Sequence, residues 1–211
     1  VFFAQNLRLL HVGFVQQPRL REIIAGGSLG PLCMIQMNFG SFKEYDMTNR
    51  FFSRSLAGGA LLDIGVYALS FVRYFLSSQP TEVLSQVKFA PTGVDEQASI
   101  LLKNKEEEMA AITLSLHAKQ PKRGTIAFEN GYVEMFEYPR GELARITWTA
   151  DGRTEEISEG STADALVYEV RDMEAAVAGE RDDMQLGYTI DVMDLMTEIR
   201  QSWGMKYPEE E

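Results

Sequence analysis

The 211-residue chain has little of several things. It has one cysteine, Cys33, and two histidines, His11 and His117. A single thiol excludes an internal disulfide and suits a reducing, cytoplasmic setting. Its neighbours Leu32 and Met34 lie in an apolar run and predict a buried structural thiol. No zinc cluster of standard spacing can be written, so no metal is expected. No apolar run approaches the ~20 residues that span a bilayer, and no membrane partner is expected. Basic residues are scarce: 20 Lys and Arg stand against 31 Asp and Glu, a net charge of −11. Such a chain is a poor ligand for a phosphate backbone, so no nucleic-acid partner is expected. Part of the excess sits in Glu106-Glu107-Glu108 and Glu209-Glu210-Glu211, which read as solvated faces and ends.

A dinucleotide-binding glycine loop is also missing. The nearest run, Gly26-Gly27-Ser28-Leu29-Gly30, follows a predicted helix instead of a strand. Any nucleotide would therefore be held mainly by residues outside this chain. The opening VFFAQNLRLLH lacks an initiator Met and a signal-peptide pattern, and reads as the middle of a longer protein.

With 45% apolar and 24% charged residues, the rest is ordinary for a soluble globular domain. Residues 1–5 suit a strand. Pro18 opens a short helix with Leu20, Ile23 and Ile24 as its stripe, closed by Gly26-Gly27. Residues 32–42 read as a strand, 42–59 as a loop, and 60–76 as a largely buried helix. Seven strand-like runs follow, at 83–90, 96–104, 109–117, 125–130, 132–138, 144–149 and 154–158. Asn104-Lys105, Asn130-Gly131 and Asp151-Gly152 mark hairpin turns. Two helices close the chain. Residues 163–179 carry the stripe Leu166, Val170, Met173, Val177; residues 189–204 carry Ile190, Met193, Leu195 or Met196, and Ile199. The order predicts an α+β fold: an open, mostly antiparallel sheet with helices on one face.

The stretch AGGALLDIGVY, residues 57–67, sets two glycines, an aspartate and a tyrosine in an apolar setting. Asp63 and Tyr67 are four residues apart and so share a helix face. Gly58 and Gly59 permit close approach of backbone to another surface or ligand. A tyrosine hydroxyl near a carboxylate can move a proton or bind a hydroxylated substrate. The alternative is plain structure: a first-turn Asp as a cap and a Tyr at the edge of a core. Phe39, Ser41 and Tyr45 after the first sheet strand, and His117 at a strand end, could line a substrate pocket or serve packing and loop polarity.

GGALLDIGVY resembles the Gly-Gly-x-x-x-Asp-x-Gly-x-His/Tyr signature of the Gfo/Idh/MocA (glucose–fructose oxidoreductase / inositol dehydrogenase) family. LREIIAGGSLGPLCMIQMNFG, YEVRDMEAAVAGE and VMDLMTEIRQSWGMKYPEE are similar to other parts of its C-terminal domain. The ending and Tyr67 look closest to the dihydrodiol dehydrogenase branch. Ala57 stands where many members have a third glycine. The resemblance implies the second half of an NAD(P)-dependent oxidoreductase, its N-terminal Rossmann domain absent. Residues 1–10 would be a crossover strand from that domain, and 11–211 the substrate-binding and oligomerisation domain. NADP or NAD would be the cofactor, with Asn6 and Arg8 near the nicotinamide. Asp63 and Tyr67 would be catalytic; Gly58, Gly59, Phe39, Ser41 and His117 would border a sugar, polyol or cyclic trans-diol. The fragment alone would be inactive, and a homo-oligomer would form through the open sheet face. The rival reading is a non-enzymatic binding or dimerisation module, with Phe128, Phe136 and Trp148 on that face.

Overall fold

The computed structural model describes residues 18–139, 141–180 and 186–210. The expected strand at 1–5, the crossover at 1–10, and Asn6, Arg8 and His11 lie outside the described residues.

Eight strands form one sheet in the order β2-β3-β4-β1-β5-β6-β7-β8. They are β1 (Leu32–Gly40), β2 (Glu82–Phe89), β3 (Asp95–Lys103), β4 (Met109–Ser115), β5 (Gln120–Phe128), β6 (Gly131–Phe136), β7 (Leu143–Trp148) and β8 (Thr154–Ser158). Only β1 and β4 pair in parallel; every other neighbouring pair is antiparallel. The helices are α1 (Pro18–Ala25), α2 (Val66–Phe75), α3 (Ala165–Val177) and α4 (Leu186–Ser202). The fold is α+β with an open sheet, as the chain's patterning predicts.

The core lies between one sheet face and the helix that begins at Ala60. Ile35, Met37, Ile100, Ile112, Leu114, Ile126, Val133 and Ile146 supply the sheet side. Ala60, Leu61, Ile64, Ala68, Leu69, Phe71 and Val72 supply the helix side. Gly124 in β5 stands where the Phe71 ring fills the space a Cβ would need. At the far end of α2, Arg73 donates to Asp191 of α4 at 2.6 Å and to the Leu76 carbonyl at 2.9 Å. A guanidinium there suits the negative end of the helix dipole. Within Arg54–Phe75 an 18-residue window reaches a mean hydropathy of 1.6, long and apolar enough to cross a bilayer, against the run-length expectation. It is the core element of this domain, with 67% of its most apolar window buried.

Other expectations need correcting. Cys33 is exposed. The β1–β5 register shifts between Leu32 and Met34, so Cys33 is the extra residue of a bulge and turns outward. The stripe of α3 is left open, with Leu166, Val170 and Val177 all exposed. The buried side of α4 is Val192, Leu195, Met196 and Ile199, while Ile190 is exposed. Phe128 and Trp148 pack against the core; of the three named aromatics, Phe136 is the one on the open face. There it lies near the guanidinium groups of Arg123 and Arg145, at 5.1 and 5.6 Å.

Candidate active site

The segment carrying Asp63 and Tyr67 does not open as a regular α-helix. Leu61–Gly65 form a π-turn, and α2 continues from Val66. Such wide turns occur often at functional sites. From Ala60 to Arg73 every residue is buried except Leu62, Asp63 and Tyr67. Asp63 and Tyr67 are thus the polar residues at the openings of an otherwise closed helix.

Asp63 lines a cavity of about 380 Å³ with Arg50, Phe51, Leu56, Gly58 and Leu62. Its Oδ1 accepts from Arg50 Nη1 at 3.2 Å. Arg50 lies on the short turn Arg50–Phe52, with its guanidinium 3.9 Å from the Phe51 ring centroid. Tyr67 turns to β1, its ring stacked on Phe39 at 5.7 Å and 15°. Lys122 Nζ lies 5.3 Å from the Phe39 ring centroid. Tyr138, beside Tyr67, is fully buried against Phe71, at 5.0 Å and 72°. Burial first, then nearby Tyr67, pushes the Tyr138 phenol above its ordinary value, so it stays protonated.

Gly58 and Gly59 are tight for reasons inside the protein. A Cβ at Gly58 would meet the carbonyl oxygens of Arg50, Phe51 and Ser53, at 2.6, 2.8 and 2.9 Å. Gly59 has φ 122 and lies against the Asp95 carboxylate, which a Cβ would overlap. Asp95 Oδ2 accepts from Leu61 N–H at 2.6 Å. Burial pushes the Asp95 carboxyl up to about 7, against the backbone bonds and Arg200 that favour its charged form. Tyr207 donates its hydroxyl to the Gly58 carbonyl at 2.7 Å. Arg200 binds Glu210 and the Met205 carbonyl, and so holds the tail that carries Tyr207.

The other predicted residues sit along the adjoining strand ends. Ser41 N–H donates to the Ser115 carbonyl at 2.9 Å. His117 stacks on Tyr45 at 4.2 Å and 8°. The Tyr45 hydroxyl donates to Glu96 at 2.5 Å, and Lys88 Nζ lies 2.5 Å from the same carboxylate. Burial raises Glu96, but the Lys88 and Tyr45 bonds outweigh it and hold this carboxyl below its ordinary range. Asp63, Arg50 and Gly58 therefore share one cavity; Tyr67 and Phe39 form a second group; His117 and Tyr45 form a third. Among the described residues, no cluster of His, Cys, Asp or Glu could hold a metal ion. Arg50, Asp95, Glu96, Tyr138 and Tyr207 escaped the sequence reading. The adjacent acids Asp95-Glu96 at the start of an apolar strand were the one signal available.

The GFO/IDH/MocA C-terminal domain matches residues 18–134. This chain belongs to that family. Human (Homo sapiens) trans-1,2-dihydrobenzene-1,2-diol dehydrogenase is 32% identical over 123 residues, covering 58% of this chain and 36% of that protein. The pig (Sus scrofa) enzyme of the same name is 30% identical over 119 residues, 56% of this chain and 35% of that protein. The match thus spans about a third of the length of these relatives. Among solved structures, a 3-ketoreductase from Actinomadura kijaniata with NADP and TDP-benzene superposes with a TM-score of 0.78. It is 17% identical and covers 93% of this chain and 61% of its own. An aldose–aldose oxidoreductase from Caulobacter crescentus, with glycerol bound, gives 0.77 at 18% identity, covering 92% of this chain and 59% of its own. At that identity these two describe the fold of this GFO/IDH/MocA domain.

Proposed function

We propose that this chain is the substrate half of an NAD(P)-dependent oxidoreductase acting on a sugar, polyol or cyclic trans-diol. The observation that carries this reading is the opening of a buried core helix at Asp63 and Tyr67, within the GGALLDIGVY stretch. A cavity of about 380 Å³, mostly apolar but with the Arg50–Asp63 pair at its edge, suits a small hydroxylated ring. Among the described residues there is no dinucleotide loop, so a nucleotide would be held chiefly outside this chain, with Asn6 and Arg8 as proposed neighbours of the nicotinamide. When bound, NADP or NAD supplies the hydride chemistry.

The residues of this chain place the substrate and move a proton. Asp63, fixed by Arg50, accepts from a substrate hydroxyl. Tyr67, steadied by Phe39, gives or takes the proton on the oxygen of the reacting carbon. A tyrosine has an unperturbed pKa of about 10, so it needs a nearby cation to work near neutrality. Gly58 offers its backbone to the substrate at the cavity wall, with Gly59 beside it against Asp95. Phe39, Ser41 and His117 border the substrate on the strand-end side. Without its dinucleotide-binding portion this chain is inactive. The test is NADP and NAD reduction by the full-length protein on trans-1,2-dihydrobenzene-1,2-diol and a panel of sugars and polyols. Turnover is expected with the full-length protein and none with residues 1–211 alone.

The open sheet face supports a further reading, pairing of two copies. Leu84 faces Leu101 across β2 and β3, and Met34 faces Met109 and Ala127 across β1, β4 and β5. Leu84, Leu101, Met109, Met34 and Tyr132 are all exposed, an apolar belt of the kind that marks interfaces. Light scattering of the full-length protein and a Leu84→Lys, Leu101→Glu variant tests it. An unchanged mass sinks that face as the interface. A reducing cytoplasmic location fits an exposed, unpaired Cys33.

A further inference from the structure

We propose that Asp95, the first residue of β3, is a positioning residue that fixes the helix start bearing Asp63 and Tyr67. The proposal rests on the reading that those two residues act on the substrate.

The first amides of a helix have no partner within it and need an outside acceptor. Usually the preceding loop supplies one from a Ser, Thr, Asp or Asn side chain. Here the preceding residues are Gly58 and Gly59, and Ala60 at the cap makes no side-chain bond. The acceptor comes instead from a strand 34 residues away, as Asp95 Oδ2 takes the Leu61 N–H at 2.6 Å. Asp95 is fully buried. A carboxylate is a costly group to bury, and an uncharged cap in the loop would have satisfied the same amide.

What Asp95 adds is registry. A Cβ at Gly59 would overlap the Asp95 carboxylate, and the φ of 122 there is one that only glycine adopts freely. Tyr207 takes hold of the next carbonyl back, Gly58, from the C-terminal tail. Gly59 N–H donates to the Phe51 carbonyl at 2.9 Å, and Phe51 adjoins Arg50. The Asp95 carboxylate therefore ties the helix start to β3, while the Tyr207 and Phe51 bonds tie the two glycines just before it to the tail and the Arg50 turn. Asp63 follows Leu61 by two residues and Tyr67 by six. A shift of about 1 Å in a reacting group can lower a rate by about 10²-fold. The helix start need move no further than that to disable the site.

The test uses the full-length protein with NADP and trans-1,2-dihydrobenzene-1,2-diol. Asp95→Asn keeps an acceptor oxygen for Leu61, and Asp95→Ala removes it. Asp95→Ala is expected to lower kcat about tenfold or more with the KM for NADP unchanged, and Asp95→Asn to restore kcat to within about threefold of wild type. Equal kcat in Asp95→Ala and wild type overturns the proposal, and so does Asp95→Asn as slow as Asp95→Ala. Amide hydrogen exchange over residues 59–67 is the readout that needs no substrate. It is expected to quicken about tenfold in Asp95→Ala but not in Asp95→Asn; equal rates in all three overturn the proposal. If Asp95→Ala does not fold, Gly59→Ala crowds the same carboxylate off Leu61 and is expected to quicken the same exchange; no change there overturns the proposal. Wild-type protein inactive on every substrate, with the expected exchange pattern, overturns the oxidoreductase reading and leaves Asp95 as the residue that fixes the helix.

Discussion

Arg50 and Asp63 meet at the mouth of the cavity, 3.2 Å apart from Nη1 to Oδ1, with Arg50 half exposed and Asp63 largely covered. A pair with one exposed partner contributes at most about 1 kcal/mol to stability. Arg50→Gln should therefore lower the Tm by less than about 4 °C. In the full-length protein, on the proposed function, the same substitution frees the Asp63 carboxylate from its fixed orientation, and the KM for the hydroxylated substrate should rise about fivefold or more. Differential scanning fluorimetry and steady-state kinetics on one preparation check both parts. A large loss of Tm with unchanged KM would assign Arg50 to folding.

Asp95 makes a pH prediction with a definite sign. Its carboxyl is pushed from an ordinary 3.8 up to about 7 by burial, with Arg200 and the backbone amides acting against that shift. Nearby Tyr207 is pushed up by burial and by Asp95 itself, so it stays neutral across this range. Between the two carboxyl values the folded state holds the proton more tightly than the unfolded state. This group's contribution is fully present below about pH 3.8 and is lost as pH rises through about 7. Thermal melts should show wild-type Tm falling relative to Asp95→Asn by about 5 °C or more between pH 4.5 and pH 8. A constant difference would remove the buried carboxyl from the titration.

Glu96 has the opposite sign. Burial raises it, but Lys88, Tyr45 and His117 outweigh that and hold it below its usual range. Its stabilisation is present above the ordinary glutamate value and is lost as pH falls through its lowered one. Tyr45→Phe removes the hydroxyl that donates to Glu96 at 2.5 Å. The urea midpoint at neutral pH should fall, and the acid transition should move to higher pH. Stability equal to wild type would mean that Lys88 alone satisfies the carboxylate.

Cys33 sits on the outside of a bulge. The native protein should react with a thiol reagent at about one equivalent per chain, without denaturant. Reaction only after unfolding would restore the buried thiol that its apolar neighbours suggest.

Much of this was legible because the signals are local. The hairpin turns at Asn104, Asn130 and Asp151 fall between adjacent antiparallel strands, and Ile35, Met37 and Phe39 alternate inward as their spacing predicts. What escaped depends on distant partners. β5 begins at Gln120, five residues earlier than its pattern suggests. Pro121 and Gly124 break the propensity there, but β1 supplies the pairing and Phe71 needs the missing Cβ. The apolar face of α3 has the spacing of a core stripe yet stays exposed, because a helical period reports a face and not what covers it. In the site, Asp63 and Tyr67 stand out as polar residues in an apolar run. Asp95 and Tyr207 reach the same turn from far along the chain, and no spacing rule joins them to Gly58-Gly59.

The central claim is that Tyr67 handles the proton at the substrate oxygen, and Tyr67→Phe in the full-length protein tests it most directly. Phenylalanine keeps the ring stacked on Phe39 and removes only the hydroxyl. Turnover with NADP and trans-1,2-dihydrobenzene-1,2-diol should fall about 10²-fold or more, while the Tm and the affinity for NADP stay near wild type. Turnover within about twofold of wild type would contradict the role assigned to Tyr67.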